Sequence, residues 1–79
     1  MGKHQKAIRI WQMGLDAATK YRVLYEDGLL RVRLGSALRN VPAEQLLHFE
    51  CAAQIFSSMG AARDLETTRS LAKESGFKI

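Results

Sequence analysis

The sequence predicts an all-α domain of four antiparallel helices, and three observations predict it. Apolar side chains recur at steps of three and four along almost the whole chain. Short connections fall near residues 22–23, 40–41 and 60, the last two marked by Asn40 with Pro42 and by Gly60. Apolar and polar residues never alternate for long enough to build a strand. With 79 residues, 47% of them hydrophobic and 25% charged, the chain reads as one packed domain, 1–79, and not as a disordered tail. It has no run of 18 apolar residues for a membrane span, and residues 1–12 lack the apolar core of a secretory signal. The single cysteine cannot close an internal disulfide, so a reducing, cytoplasmic setting is expected. A chain this short buries only about 60–65% of its unfolded surface, so it must pack closely, oligomerise or rest on a partner.

The first helix is expected over residues 3–21. Gln5, Arg9, Gln12, Asp16 and Thr19 form its polar stripe, and Ala7, Ile8, Ile10, Trp11, Met13, Gly14, Leu15, Ala17 and Ala18 form a wide apolar arc that calls for neighbours on two sides. Asp16 and Lys20 are spaced for an (i, i+4) ion pair. A second helix is expected over 24–39. Glu26 and Asp27 complement the dipole of its first turn, Leu30, Leu34, Ala37, Leu38 and Val41 make its buried stripe, and Asn40 serves as a left-handed terminator.

Pro42 opens the third helix, 42–59, because its missing N–H would be unpaired at that position in any case. Leu46, Phe49, Ala53 and Phe56 form one apolar stripe of this helix, while Glu50, Gln54 and Ser57 face water. Gly60 ends it. The fourth helix, 61–75, turns Leu65, Thr68, Leu71 and Ala72 inward. Gly76 closes it, with Phe77 placed for a capping contact against Leu71 or Ala72.

No catalytic constellation emerges, so the chain reads as a non-enzyme without cofactor or metal. His4 and His48 lie far apart, and His48 shares a stripe with Ala52, Ile55 and Met59 as a packing residue. Cys51 stands alone beside Glu50, which is not the electropositive setting of a reactive thiol. Zinc would need three or four close ligands, and the glycines match no phosphate-binding loop. A helix-turn-helix centred on Gly60 would put Glu66 and Arg69 at apolar positions, and Asp64, Glu66 and Glu74 would repel phosphates.

Charge is distributed unevenly. The net is +4, from 12 basic and 8 acidic residues. Residues 1–22 carry Lys3, Lys6, Arg9, Lys20 and Arg22 against Asp16 alone, whereas residues 43–60 carry only Glu44 and Glu50. A basic end of this kind suits an acidic protein or nucleic acid.

Two of the four helices share a pattern. Ala7-x-x-x-Trp11-x-x-Gly14 recurs as Ala52-x-x-x-Phe56-x-x-Met59, and each alternates with a leucine followed by a small residue, Leu34-Gly35 and Leu71-Ala72. A generic four-helix bundle has the same periodicity, but the paired stripes favour helical hairpins stacked side by side. On these residues the chain resembles the tetratricopeptide repeat (TPR). The segments KAIRIWQMGLDAA, YEDGLLRVRLGSAL and CAAQIFSSMGAARDL are similar to the irregular C-terminal repeats of soluble-type class III adenylyl cyclases and signal-transduction ATPases. The resemblance implies a non-catalytic binding scaffold with a partner groove lined by Leu29, Val32, Ser36 and Arg39 on the second helix and Glu66, Arg69 and Lys73 on the fourth. Arg39, Arg69 and Lys73 would give that groove a weak preference for acidic segments.

The first helix has no predecessor to cover it. Its face around Ile10, Trp11 and Met13 is therefore expected to form an exposed apolar edge, and terminal repeats normally carry a polar cap. The expectation is an interaction or scaffold module: a fragment of a larger array or a small subunit of an assembly, bound to a protein partner or to itself, with no membrane contact. The second reading is a small basic accessory protein that binds nucleic acid or a nucleoprotein.

Overall fold

The computed structural model describes the backbone of residues 2–79 and the side chains of residues 4–79. Four helices follow one another, α1 (Gly2–Lys20), α2 (Leu24–Ala37), α3 (Pro42–Met59) and α4 (Ala62–Glu74), with no strand among the described residues. Successive helices are antiparallel. His4 at the start of α1 reaches Ala37 at the end of α2, and Gln45 early in α3 reaches Ser75 just beyond α4. Among the described residues α2 touches all three other helices, while α1 rests on α2 alone. A closed up-and-down bundle would bring α1 back against α4. Here the helices form an open stack of hairpins, a slab of 36 × 32 × 18 Å.

The centre of the slab is an interlock between α2 and α3. Gly28 and Gly35 lie seven residues apart on α2, and Phe56 and Phe49 are seven apart on α3 in the opposite direction. Two helical turns separate the members of each pair, so both fall on one face. A Cβ built on Gly28 would stand 2.8 Å from the Phe56 ring, and one on Gly35 would stand 3.0 Å from the Phe49 ring. Both phenylalanines are sealed, together with Leu34, Ala52, Thr68 and Ala72. Each mid-helix glycine costs about 1 kcal/mol relative to alanine, and each buried phenylalanine returns about 1.5–3 kcal/mol. Gly14 has the same role on a smaller scale, meeting Leu30 Cδ1 at 3.2 Å from the Cβ position.

Three helices end in the same left-handed turn. After α3, Ala61 N–H donates to Phe56 O and Gly60 N–H to Ser57 O; after α4, Phe77 N–H donates to Ala72 O and Gly76 N–H to Lys73 O. Gly60 and Gly76 take positive φ, as this motif requires. After α1, Val23 N–H donates to Ala18 O and Arg22 N–H to Thr19 O, but Arg22 occupies the left-handed position at φ 56°.

Several expectations are corrected. Helix α2 stops at Ala37 and not at residue 39, and Asn40 is not left-handed. The residue before a proline is driven out of the helical region, and Val41 sits at φ −132°, ψ 73°. The chain reaches it through a turn in which Val41 N–H donates to Leu38 O, which leaves Val41 exposed and not in the buried stripe. Helix α4 begins at Ala62, with Ala61 as its N-cap. Phe77 makes the expected capping turn, its N–H bonded to Ala72 O, and its ring also lies 6.4 Å from that of Phe49, midway along α3. Met59 lies at the exposed end of α3 and not in the packed stripe. Asp16 accepts from Gln12 Nε2 at 3.1 Å and does not pair with Lys20.

Replacing Gly28 with alanine is expected to lower stability by about 1–3 kcal/mol despite alanine's higher helix propensity, with a smaller loss for Gly35→Ala. Urea unfolding midpoints check both. Conversely, Arg22→Gly is expected to raise stability by about 0.5–1 kcal/mol, because it relieves a left-handed L-residue at the cost of a more flexible unfolded chain. A higher melting temperature is the readout.

Candidate functional site

The expected groove residues fall in two separate clefts, lined by different faces of α4. Ser36 and Arg39, at the end of α2, line a cleft of about 340 Å³ with Gln45, Leu71, Glu74 and Ser75. Glu66, Arg69 and Lys73 line a second cleft, formed by α4 alone, with Ala62, Leu65 and Ser70. Leu29 and Val32 are half-buried on α2. Glu74 shares the first cleft with Arg39, so that cleft carries both signs of charge. The cation-rich part is farther along, where Arg69, Lys73 and Lys78 surround Phe77 and Ile79. Gln45, Leu71 and Glu74 were not anticipated as lining residues, because nothing in the sequence sets the end of α4 beside the end of α2.

At the opposite end of the molecule Tyr25 joins α2 to the start of α4. Its ring meets Phe56 edge-on at 6.0 Å. Hydrogen bonding to the Asp64 carboxylate, then the charge of that carboxylate and finally burial push its phenol above the ordinary pKa.

The second candidate surface is the outer side of α1. Ile10 is 56% exposed and Met13 66%, and they line a shallow groove with Gln5, Lys6 and Arg9. Ala17 and Tyr21 continue the stripe, and Leu24 turns its corner, all exposed. Lys20 lies over the Tyr21 ring at 5.5 Å. Trp11 departs from the expectation. It lies four residues before buried Leu15, on the face turned toward α2, and is half-buried. Lys6 and Arg9 sit four residues before Ile10 and Met13, which is the spacing that brings charge and apolar anchor onto one side.

The buried polar groups serve the fold. Asp27 is 7% exposed, accepts from Arg31 Nε at 2.6 Å and from Thr19 Oγ1 at 3.2 Å, and so pins α1 to α2. Its place in the first turn of α2 suits the helix dipole, and the fold adds a buried, bridging role. His4 Nε2 lies 3.2 Å from Ala37 O and acts as the donor, since a carbonyl only accepts. His48 is buried, as its stripe implied, with no partner for Nδ1. Burial first, then the charge of Arg31, lower its pKa, while Glu44 pulls the other way. Cys51 is half-buried, and among the described residues no three His, Cys, Asp or Glu side chains are grouped to hold a metal ion. Nor is any described helix long and apolar enough to cross a membrane.

The folded state thus disfavours protonated His48, and the unfolded state takes up that proton more readily. Stability should be complete above about pH 6.5, the ordinary histidine value, and should fall as the pH drops below it. Melting temperatures across this range, compared with His48→Gln, in which that part of the dependence disappears, provide the check. In comparisons with protein-family models, curated proteins and solved structures, nothing matches this chain.

Proposed function

We propose that this chain is a non-catalytic protein-interaction module, a TPR-like fragment or small subunit that works as part of a larger assembly. The observation that carries this reading is the unequal finish of the two sides of the stack. Among the exposed residues of α4 are Arg63, Glu66, Thr67, Arg69, Ser70, Lys73 and Glu74, all polar, as on the outer helix of a capped array. The outer side of α1 instead leaves Ile10, Met13 and Tyr21 in water. Exposed apolar stripes rimmed by polar groups are a mark of interaction surfaces. The alternation of Ala-x-x-x-aromatic stripes with Leu-small pairs supports the repeat kinship, and the cleft lined by Ser36 and Arg39 from the end of α2 and by Leu71 and Glu74 from α4 offers a seat for an extended segment.

The charge of residues 1–22 favours one other reading, a basic accessory protein on nucleic acid. The apolar anchors among those cations gain little from phosphates, so this reading ranks second.

An NMR titration with an extended Asp/Glu-rich peptide tests the module. Shifts centred on Ser36, Arg39, Arg69 and Lys73, lost in the Arg39→Glu/Lys73→Glu double variant, are the expected outcome. Tighter binding to an RNA or DNA duplex, with affinity falling steeply as salt rises, would replace this reading with the second one.

A further inference from the structure

We propose that the outer face of α1 is the seat of an acidic amphipathic helix from a partner protein, which completes the stack on its open side; this rests on the interaction-module reading above and names the partner's chemistry. The stripe from Ile10 through Met13 and Ala17 to Tyr21 follows steps of three and four, so it runs straight along the helix. It covers eleven residue steps, about 16 Å at 1.5 Å per residue, which matches three turns of a docked helix. Leu15 and Ala18 on the other side of α1 are already buried against α2, so the stripe has no use within the fold.

The charges around the stripe select the occupant. Lys6 and Arg9 line the groove with Ile10 and Met13, and Lys20 and Arg22 stand at its far end, with Asp16 the one acidic residue in α1. A second copy packed through this face would set three lysine or arginine side chains of α1, Lys6, Arg9 and Lys20, against the same three, with only Asp16 from each side to offset them. The exposed side of α4 is polar and supplies no matching apolar stripe for head-to-tail stacking. A membrane surface is also a poor match. The aromatic suited to a lipid interface, Trp11, is turned toward α2, and Asp16 borders the stripe midway. A helix carrying leucine-type anchors on one face and carboxylates on both edges satisfies the stripe and the cations together.

The test uses the whole chain and a synthetic amphipathic helix of about 18 residues, with leucine along one face and glutamate on both edges. Its lysine-edged counterpart, vesicles of phosphatidylcholine with phosphatidylserine, and sedimentation of the chain alone complete the set. The glutamate-edged peptide is expected to bind and to shift the amides of Ile10 and Met13. Binding should be lost in Ile10→Asp/Met13→Asp, two exposed sites where circular dichroism will report an intact fold. Lys6→Glu/Arg9→Glu should weaken it about tenfold or more and transfer preference to the lysine-edged peptide. Arg39→Glu/Lys73→Glu should leave it unchanged, which separates this face from the α2/α4 clefts. Equal binding of the two peptides would overturn the proposal. So would binding of the vesicles in place of the peptide, or a concentration-dependent dimer abolished by Ile10→Asp/Met13→Asp.

Discussion

The rest of the structure depends on two glycines of α2 receiving two phenylalanines of α3. Gly28 and Gly35 let the α3 rings press against the α2 backbone, at 2.8 Å from a Cβ on Gly28, where it would collide, and at 3.0 Å from one on Gly35, where the ring would have to shift. That contact sets how near the helices lie, seals Phe49 and Phe56, and brings Leu34 and Ala52 into the same fully buried layer. Helix α4 then packs over this layer through Thr68 and Ala72, and the Phe77 ring meets Phe49 at a tilt of 56°. Small residues in a helix weaken it locally, so their placement makes sense only as a tertiary device. In a chain with so little interior, two well-filled sockets account for much of what holds the halves together.

The attachment of α1 is of another kind. Its link to α2 combines modest apolar packing, Gly14 against Leu30, with polar ties at both ends: His4 on the Ala37 carbonyl, and Thr19 on the Asp27–Arg31 pair. Breaking a largely buried pair costs more than forming it gains, because the remaining charge is left without a partner. Such ties fix the register of α1 along α2 more than they add stability. They also leave the opposite side of α1 uncommitted.

Helix ends show where the chain tolerates imperfect chemistry. Three terminate in the same double hydrogen-bond pattern, yet only two place glycine where the backbone turns left-handed. The N-caps of α2, α3 and α4 are Val23, Val41 and Ala61, none with a side-chain oxygen to satisfy the first amides. A domain with weak caps and one helix packed on a single neighbour draws its order from packing between helices.

Helical character, the number of helices, the starts at Leu24 and Pro42, the stops at Gly60 and Gly76, and the inward direction of Phe49, Phe56, Thr68 and Ala72 were all legible in the sequence. Each follows from spacing along a single helix or from the φ preference of one residue, which are local properties. The exposure of Ile10 and Met13 was legible from the width of the apolar arc of α1, which exceeds what one neighbouring helix can cover. Trp11 was misassigned because a wide apolar arc does not say which part meets the neighbour. Gly28 passed unread, although its spacing from Gly35 repeats that of Phe49 and Phe56. The interior position of Asp27, the placing of Arg39 and Glu74 on one cleft, and the separation of the α2 and α4 residues into two clefts were decided only by the tertiary structure. Each depends on where helices from distant parts of the chain come to rest, and that is set by the closest approach of their backbones.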